Sequence, residues 1–186
     1  MSQLIFQTRA ELAIATPGLD IEVMSWFAIR TRPRHEKKVA QDLREKGVTA
    51  FLPVFSALHQ WSDRRRLVEM PLFPGYVFVR IGATADNRIP VLRTNGVMNF
   101  VGIRGVGVPI PDGQIEAIQT ILDHEIPFTP HPFLSVGRQV RIQGGSLDGL
   151  QGILVAKNSD QSLIVSVELI QRSLAIRVAG YGVMPI

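Results

Sequence analysis

The chain contains no cysteine, which excludes disulfides and thiolate metal sites and makes a reducing, cytoplasmic compartment the simplest expectation. It has no long apolar run either. Stretches such as Ile164 to Ile170 are broken by polar residues well short of the roughly 20 positions a membrane helix needs. The first 23 residues have no basic start and no continuous apolar segment, because Arg9, Glu11, Asp20 and Glu22 interrupt them, so no secretory signal is expected. Catalytic patterns are missing as well. His35 and Glu36 are adjacent, as are His124 and Glu125, but neither pair has the spacing of a zinc-binding H-E-x-x-H; His59 and His131 stand alone. The glycine-rich stretch Gly102 to Pro109 is not followed by the Gly-Lys-Ser/Thr of a phosphate-binding loop. The expectation is a protein that is not an enzyme and needs no metal, nucleotide or prosthetic group.

What is present argues for packed cores. Of 186 residues 46% are hydrophobic and 19% charged, which fits one ordinary domain or two small ones rather than a disordered chain. The net charge of +4 is unevenly spread: residues 24–80 hold eleven Lys or Arg against five Asp or Glu. A basic half beside a nearly neutral remainder fits a localised polyanion contact, and it fits equally a solvated helix face.

Met24 to Arg30 is aromatic and β-branched enough for a strand, and Pro33 sits where a helix can begin. Val39, Ala40 and Leu43 then fall at helical spacing within Arg34 to Lys46, with Gly47 placed to cap the end. Ala50 to Phe55 and Leu58 to Trp61 read as short strands. The turn Ser62 to Arg66 makes a hairpin tipped by Arg64, Arg65 and Arg66. Phe73 to Arg80 alternates cleanly from Tyr76, as a strand does. A short helix capped by Asp86, a strand over Val97 to Ile103, and a helix over Pro111 to His124 with Ile115, Ile118, Ile121 and Leu122 on one face complete this half. The expected class is α+β with a mainly antiparallel sheet over residues 24–124, preceded by an extension, 1–23. Pro127, Pro130 and Pro132 make Glu125 to Ser135 an interdomain spacer. Beyond it, runs at Gln139–Ile142, Gly152–Ala156, Leu163–Leu169 and Leu174–Val178 predict a small all-β barrel over 136–186.

Two motifs carry a resemblance. Val136 to Val155, V-G-R-Q-V-R-I-Q-G-G-S-L-D-G-L-Q-G-I-L-V, resembles the KOW motif, with Val140 and Ile142 entering a core, Gly144 and Gly145 permitting a turn, and Gly149 and Gly152 letting strands approach. Trp26 to Leu43, Pro71 to Val79 and Thr94 to Gly102, in that order, resemble the N-terminal domain of the NusG family of transcription elongation factors. The likeness covers residues 24 to 186 and is greater to the specialised RfaH-like and capsule-operon antiterminators.

The resemblance implies a factor whose N-terminal α/β sandwich docks on the clamp helices of RNA polymerase and suppresses pausing or termination. Its KOW barrel would recruit a ribosomal protein or a termination factor. Phe73, Tyr76, Phe78 and Phe100 occupy the polymerase-binding positions, although alternate strand positions must also fill the domain's own core. Arg32, His35, Lys38, Thr94 and Asn95 occupy positions that contact the non-template DNA strand, and the Arg64 to Arg66 tip lies near upstream DNA. The His-Thr-Thr element of RfaH-like members is absent; Asn87, Arg88 and Ile89 stand there, with Arg88 able to hydrogen bond in its place. Two competing classes remain: a stand-alone RNA-binding or ribosome-associated KOW protein, and an enzyme of unknown type.

Overall fold

A computed structural model of the chain describes residues 23–60, 65–131, 137–157, 160–178 and 181–186. The residues of the N-terminal extension before Val23 lie outside that set. Strand β1, Met24–Thr31, is the middle of the N-terminal sheet: β5, Tyr76–Gly82, pairs on one side of it and β6, Val97–Phe100, on the other. β2, Thr49–Phe51, adds to the outer edge of β5, so the order is β2-β5-β1-β6 with every pair antiparallel.

Both faces of this sheet are covered, which is why β1 carries four consecutive buried residues instead of an alternating pattern. Phe27 and Ile29 meet Val39, Ala40 and Leu43 of α1, Glu36–Glu45, and Val91 of α2, Ala85–Leu92. Trp26 and Ala28 meet Ile115, Ile118 and Ile121 of α3, Asp112–Asp123. Each of these three isoleucines is fully buried, and burial of such a side chain is worth about 1.5–3 kcal/mol. The hairpin of β3, Val54–Gln60, and β4, Arg65–Pro71, projects as a separate two-stranded ribbon. A second small hairpin joins β7, Gly102–Ile103, to β8, Val106–Gly107, where a single strand to Ile103 was expected. The N-cap of α2 is Thr84 rather than Asp86, which lies inside the first turn.

The C-terminal strands are β9, Phe128–His131; β10, Arg138–Gln143; β11, Gln151–Lys157; β12, Asp160–Val167; β13, Arg172–Arg177; and β14, Gly182–Pro185. Among the described residues they form one antiparallel sheet in the order β14-β10-β11-β12-β13-β9. This corrects the expected barrel. β9 lies at one end and β14 at the other with no pairing between them, so the sheet is not closed. The proline-rich spacer is not free chain either: Phe128 to His131 is a strand laid along β13. The two halves also share one apolar cluster, in which Ile115, Ile118 and Ile121 of α3 are continuous with Val140, Leu163, Val165 and Leu174 of the C-terminal sheet. The Glu168 N–H donates to the Gln114 side-chain oxygen at 3.0 Å across the same junction. No helix among the described residues is long and apolar enough to cross a membrane.

Glycine acts in two different ways in the KOW-like segment. Gly144, at φ +79°, turns the chain after β10, and its N–H donates to the Asp148 carboxylate at 2.6 Å. Gly152 is there for space: a Cβ would run into the Ile164 carbonyl of the neighbouring strand and press within 3.0 Å of the Leu163 side chain. Gly152→Ala should therefore destabilise the protein by about 1–3 kcal/mol, the usual cost of overpacking. Gly113→Ala, at a helical position with nothing within 4 Å of the added methyl, should leave stability unchanged or raise it by about 0.5 kcal/mol. Chemical denaturation of the two full-length variants checks the contrast; equal loss would show that Gly152 is not a packing glycine.

Candidate functional site

The basic surface is organised where β1 ends and α1 begins. The Arg32 N–H donates to the Gly96 carbonyl at 2.8 Å, and the His35 N–H donates back to the Arg32 carbonyl at 3.1 Å. The His35 ring Nδ1–H donates to the Pro33 carbonyl at 3.0 Å, which fixes the ring's orientation. Gly96, at φ +95°, presses against α1 so closely that a Cβ would lie 2.9 Å from Val39 Cγ2 and 3.1 Å from His35 Cβ. The exposed Asn95 is thereby brought beside Arg32 and His35, although it lies 63 and 60 positions from them in sequence. Lys38 is exposed one turn along α1 and forms a 3.5 Å ion pair with Asp42. An exposed pair of this kind contributes only about 0.3–0.5 kcal/mol, so the ammonium is readily exchanged to another anion.

Thr94 requires a correction. It was expected to face nucleic acid, but it is buried, and its hydroxyl accepts from Lys46 Nζ at 2.8 Å and donates to the Pro90 carbonyl at 3.0 Å. It pins the turn that presents Asn95. Lys46 is the residue that sequence reading missed, because only folding brings the end of α1 against the end of α2. Of the arginine triplet, Arg64 lies outside the described residues. Arg65 and Arg66 occupy the first positions of β4, opposite Gln60 and His59.

The aromatic positions divide between the two faces of the sheet. Phe73 and Phe78 are buried and meet edge to face at 6.1 Å; Phe51 stacks on Phe78 at 6.2 Å and meets Trp26 at 6.3 Å. Tyr76 is half-buried against the same cluster. Phe100 is on the opposite face, packed edge to face on Phe27 at 6.0 Å, so the four expected residues do not make one patch. The cause is register: Phe100 lies opposite Ile29, whose side chain faces α1, whereas Phe78 lies opposite Ala28, which faces α3. Arg88 covers this second face. Its guanidinium carbon is 5.6 Å from the Phe27 ring centre and 6.0 Å from that of Phe100, and its buried Nε makes no hydrogen bond.

One contact ties the aromatic turn to the basic helix. The Gly75 N–H donates to the buried Glu36 carboxylate at 2.8 Å, and the Gly75 carbonyl accepts from the Thr31 N–H at 2.9 Å. The F-P-G-Y turn and the first turn of α1 therefore move as one body.

Against this geometry, the model of the NusG family, described as transcription termination factor, matches residues 24–119, more than half of the chain. The chain belongs to the NusG family. The matched span runs from β1 into α3 and contains both the basic surface and the aromatic turn. Among curated relatives, the transcription termination/antitermination protein NusG of Borreliella burgdorferi is 26% identical over 174 residues, covering 83% of this chain and 94% of that protein. The same-named protein of Lactococcus lactis is 28% identical over 166 residues, covering 81% and 87%. A solved structure described as domain interaction in Thermotoga maritima NusG covers 83% of this chain at 20% identity with a TM-score of 0.49. Transcription termination and antitermination is thus the role of the family to which this NusG-type chain belongs.

Removing the Glu36 acceptor leaves the Gly75 N–H unpaired, so Glu36→Ala should cost about 1–3 kcal/mol. Glu36→Gln, which keeps an oxygen at the same place, should cost less than half of that. Denaturant unfolding of both variants is the measurement, and equal losses would mean that the carboxylate does not hold the turn through this bond.

Proposed function

We propose that the chain is an elongation and antitermination factor that binds RNA polymerase through its N-terminal half, residues 24–124. In this reading the surface around Phe73, Tyr76 and Phe78 meets the clamp helices, as the resemblance to NusG factors implies, while the C-terminal KOW unit, residues 136–186, recruits a ribosomal protein or a termination factor. Phe78 and Phe73 supply the apolar floor and the half-buried Tyr76 the reachable edge. The observation that supports the reading most directly is the Glu36–Gly75 bond, because it links the aromatic turn to the start of the cationic helix. A factor that grips polymerase beside exposed DNA needs that rigid pairing.

The basic surface gives the finer assignment. Exposed Arg32, Lys38 and Asn95 with half-buried His35 combine cations, which position phosphates, with an amide, which reads a base edge. That combination supports contact with the non-template strand and the specialised, RfaH-like branch of the family. In sequence, the triplet Arg64, Arg65 and Arg66 adds positive charge suited to a contact with upstream DNA.

The test is the salt dependence of DNA binding within a polymerase elongation complex. Single-strand contacts contribute a slope of about −0.7 per phosphate, so Arg32→Gln with Lys38→Gln should flatten the plot of log affinity against log salt by about 1.4. Lys157→Gln, in the C-terminal sheet, should leave it unchanged. Parallel slopes for the parent and the Arg32/Lys38 double variant would remove the nucleic-acid role. Separately, Tyr76→Ala should weaken polymerase binding by about 1–3 kcal/mol with the fold intact, and undiminished binding by a folded variant would remove the aromatic surface.

A further inference from the structure

The spacer strand β9 is one of two four-residue strands at the ends of the C-terminal sheet, and unlike β14, whose proline is its last residue, it carries Pro130 inside its paired run. It follows Pro127. Its pairing runs Phe128 opposite Ile176, Thr129 opposite Ala175, Pro130 opposite Leu174 and His131 opposite Ser173. Pro130 has no N–H to offer, which only an edge position tolerates, and this pairing is shorter than β12–β13, whose register runs unbroken from Ser162 to Val167. β13 has no other neighbour on that side: without β9 it would be the edge of the sheet, with alternate N–H and C=O groups unpaired. Its side chains are otherwise satisfied. Leu174 and Ile176 are buried in the core, and the Ser173 hydroxyl is 2.7 Å from that of Ser166. What β9 covers is therefore the main chain of β13 and the part of the core cluster on which Phe128 packs.

β9 is held from a second direction as well. The Phe128 ring meets Phe55 edge to face at 5.4 Å, and Phe55 belongs to β3, on the ribbon that carries Arg65 and Arg66. Immediately upstream, Glu125 adopts a left-handed conformation at φ +50° and the Ile126 N–H donates to the Ile121 carbonyl at 2.9 Å, so the chain is anchored to the end of α3. Only Pro127 separates that anchor from the strand. Release of β9 thus means breaking its pairing to β13, the contact of Phe128 with Phe55 and the packing of Phe128 on the core cluster, around the anchor at Ile126.

We propose that Phe128–His131 is a displaceable clip, an intrachain strand that masks the β13 edge and is kept there by the β3–β4 ribbon through Phe55. Movement of the ribbon when it engages a ligand loosens Phe128, and β9 leaves β13. The uncovered edge then accepts an extended strand of another protein chain, so engagement at the N-terminal half licenses recruitment at the C-terminal half. The proposal does not depend on which ligand the ribbon binds.

Amide hydrogen exchange on the full-length protein tests the coupling. Phe55 pairs with Met70 in the ribbon and has no place in the β13 ladder. Phe55→Ala should nevertheless speed exchange of the β9-facing amides in Ser173 to Ile176 by at least tenfold. Phe128→Ala, which also removes packing on the core cluster, should do so at least as strongly, and adding Phe55→Ala to it should raise exchange no further, because the Phe55–Phe128 contact is already lost. Protection in β1, β5 and β11 should stay at the parent's level. Unchanged exchange in β13 for Phe55→Ala would overturn the coupling. Unchanged exchange for both variants, or an equal rise in every sheet, would overturn the displaceable clip.

Discussion

The double burial of β1 is the constraint from which the remaining architecture follows. A strand with Trp26, Phe27, Ala28 and Ile29 all out of water must have an apolar layer on each side. α1 and α2 supply one layer through Val39, Ala40, Leu43 and Val91, and α3 supplies the other through Ile115, Ile118 and Ile121. Phe27 and Ile29 select the first layer, Trp26 and Ala28 the second. Every residue paired to β1 inherits its face from that alternation: Val77 and Val79 turn toward α1, and Phe78 turns toward α3.

Two surfaces of a NusG-type factor are thereby mounted on one rigid frame. The basic surface grows from the loop between β1 and α1, and the aromatic turn leads into β5, the neighbour of β1. Glu36 locks them together from inside, at the cost of burying a carboxylate, which is offset by the N–H of Gly75. Thr94 and Lys46 lock the third component, the turn bearing Asn95. These buried polar contacts act on position rather than on chemistry. They place exposed groups at set distances from one another, which is what recognition of a large complex requires.

The C-terminal half is not an appendage on a free tether in this conformation. α3 faces the N-terminal sheet and β12 at once, so the apolar layer that closes the second face of β1 continues into the KOW-like sheet. A spacer rich in proline suits this arrangement, since proline is tolerated at the edge of a sheet, where β9 lies.

By itself the sequence determined the elements with strong periodicity and the chemistry of the chain. β5, α1 and α3 were legible because apolar residues recur at intervals of two or of three and four, which local backbone geometry sets, and β1 was legible from its aromatic and β-branched content. The F-P-G-Y and KOW-like segments were legible because turns need glycine at particular points. Tertiary structure alone decided which face Phe100 would take, since that depends on its pairing opposite Ile29. It alone buried Thr94 under Lys46, which lies 48 residues away, and it alone turned Phe128 to His131 from spacer into strand. It also left the C-terminal sheet open rather than closed into a barrel. The physical reason is common to all of these: side-chain period is encoded by neighbours in sequence, whereas register, edge pairing and buried polar contacts are fixed by distant partners that local pattern does not specify.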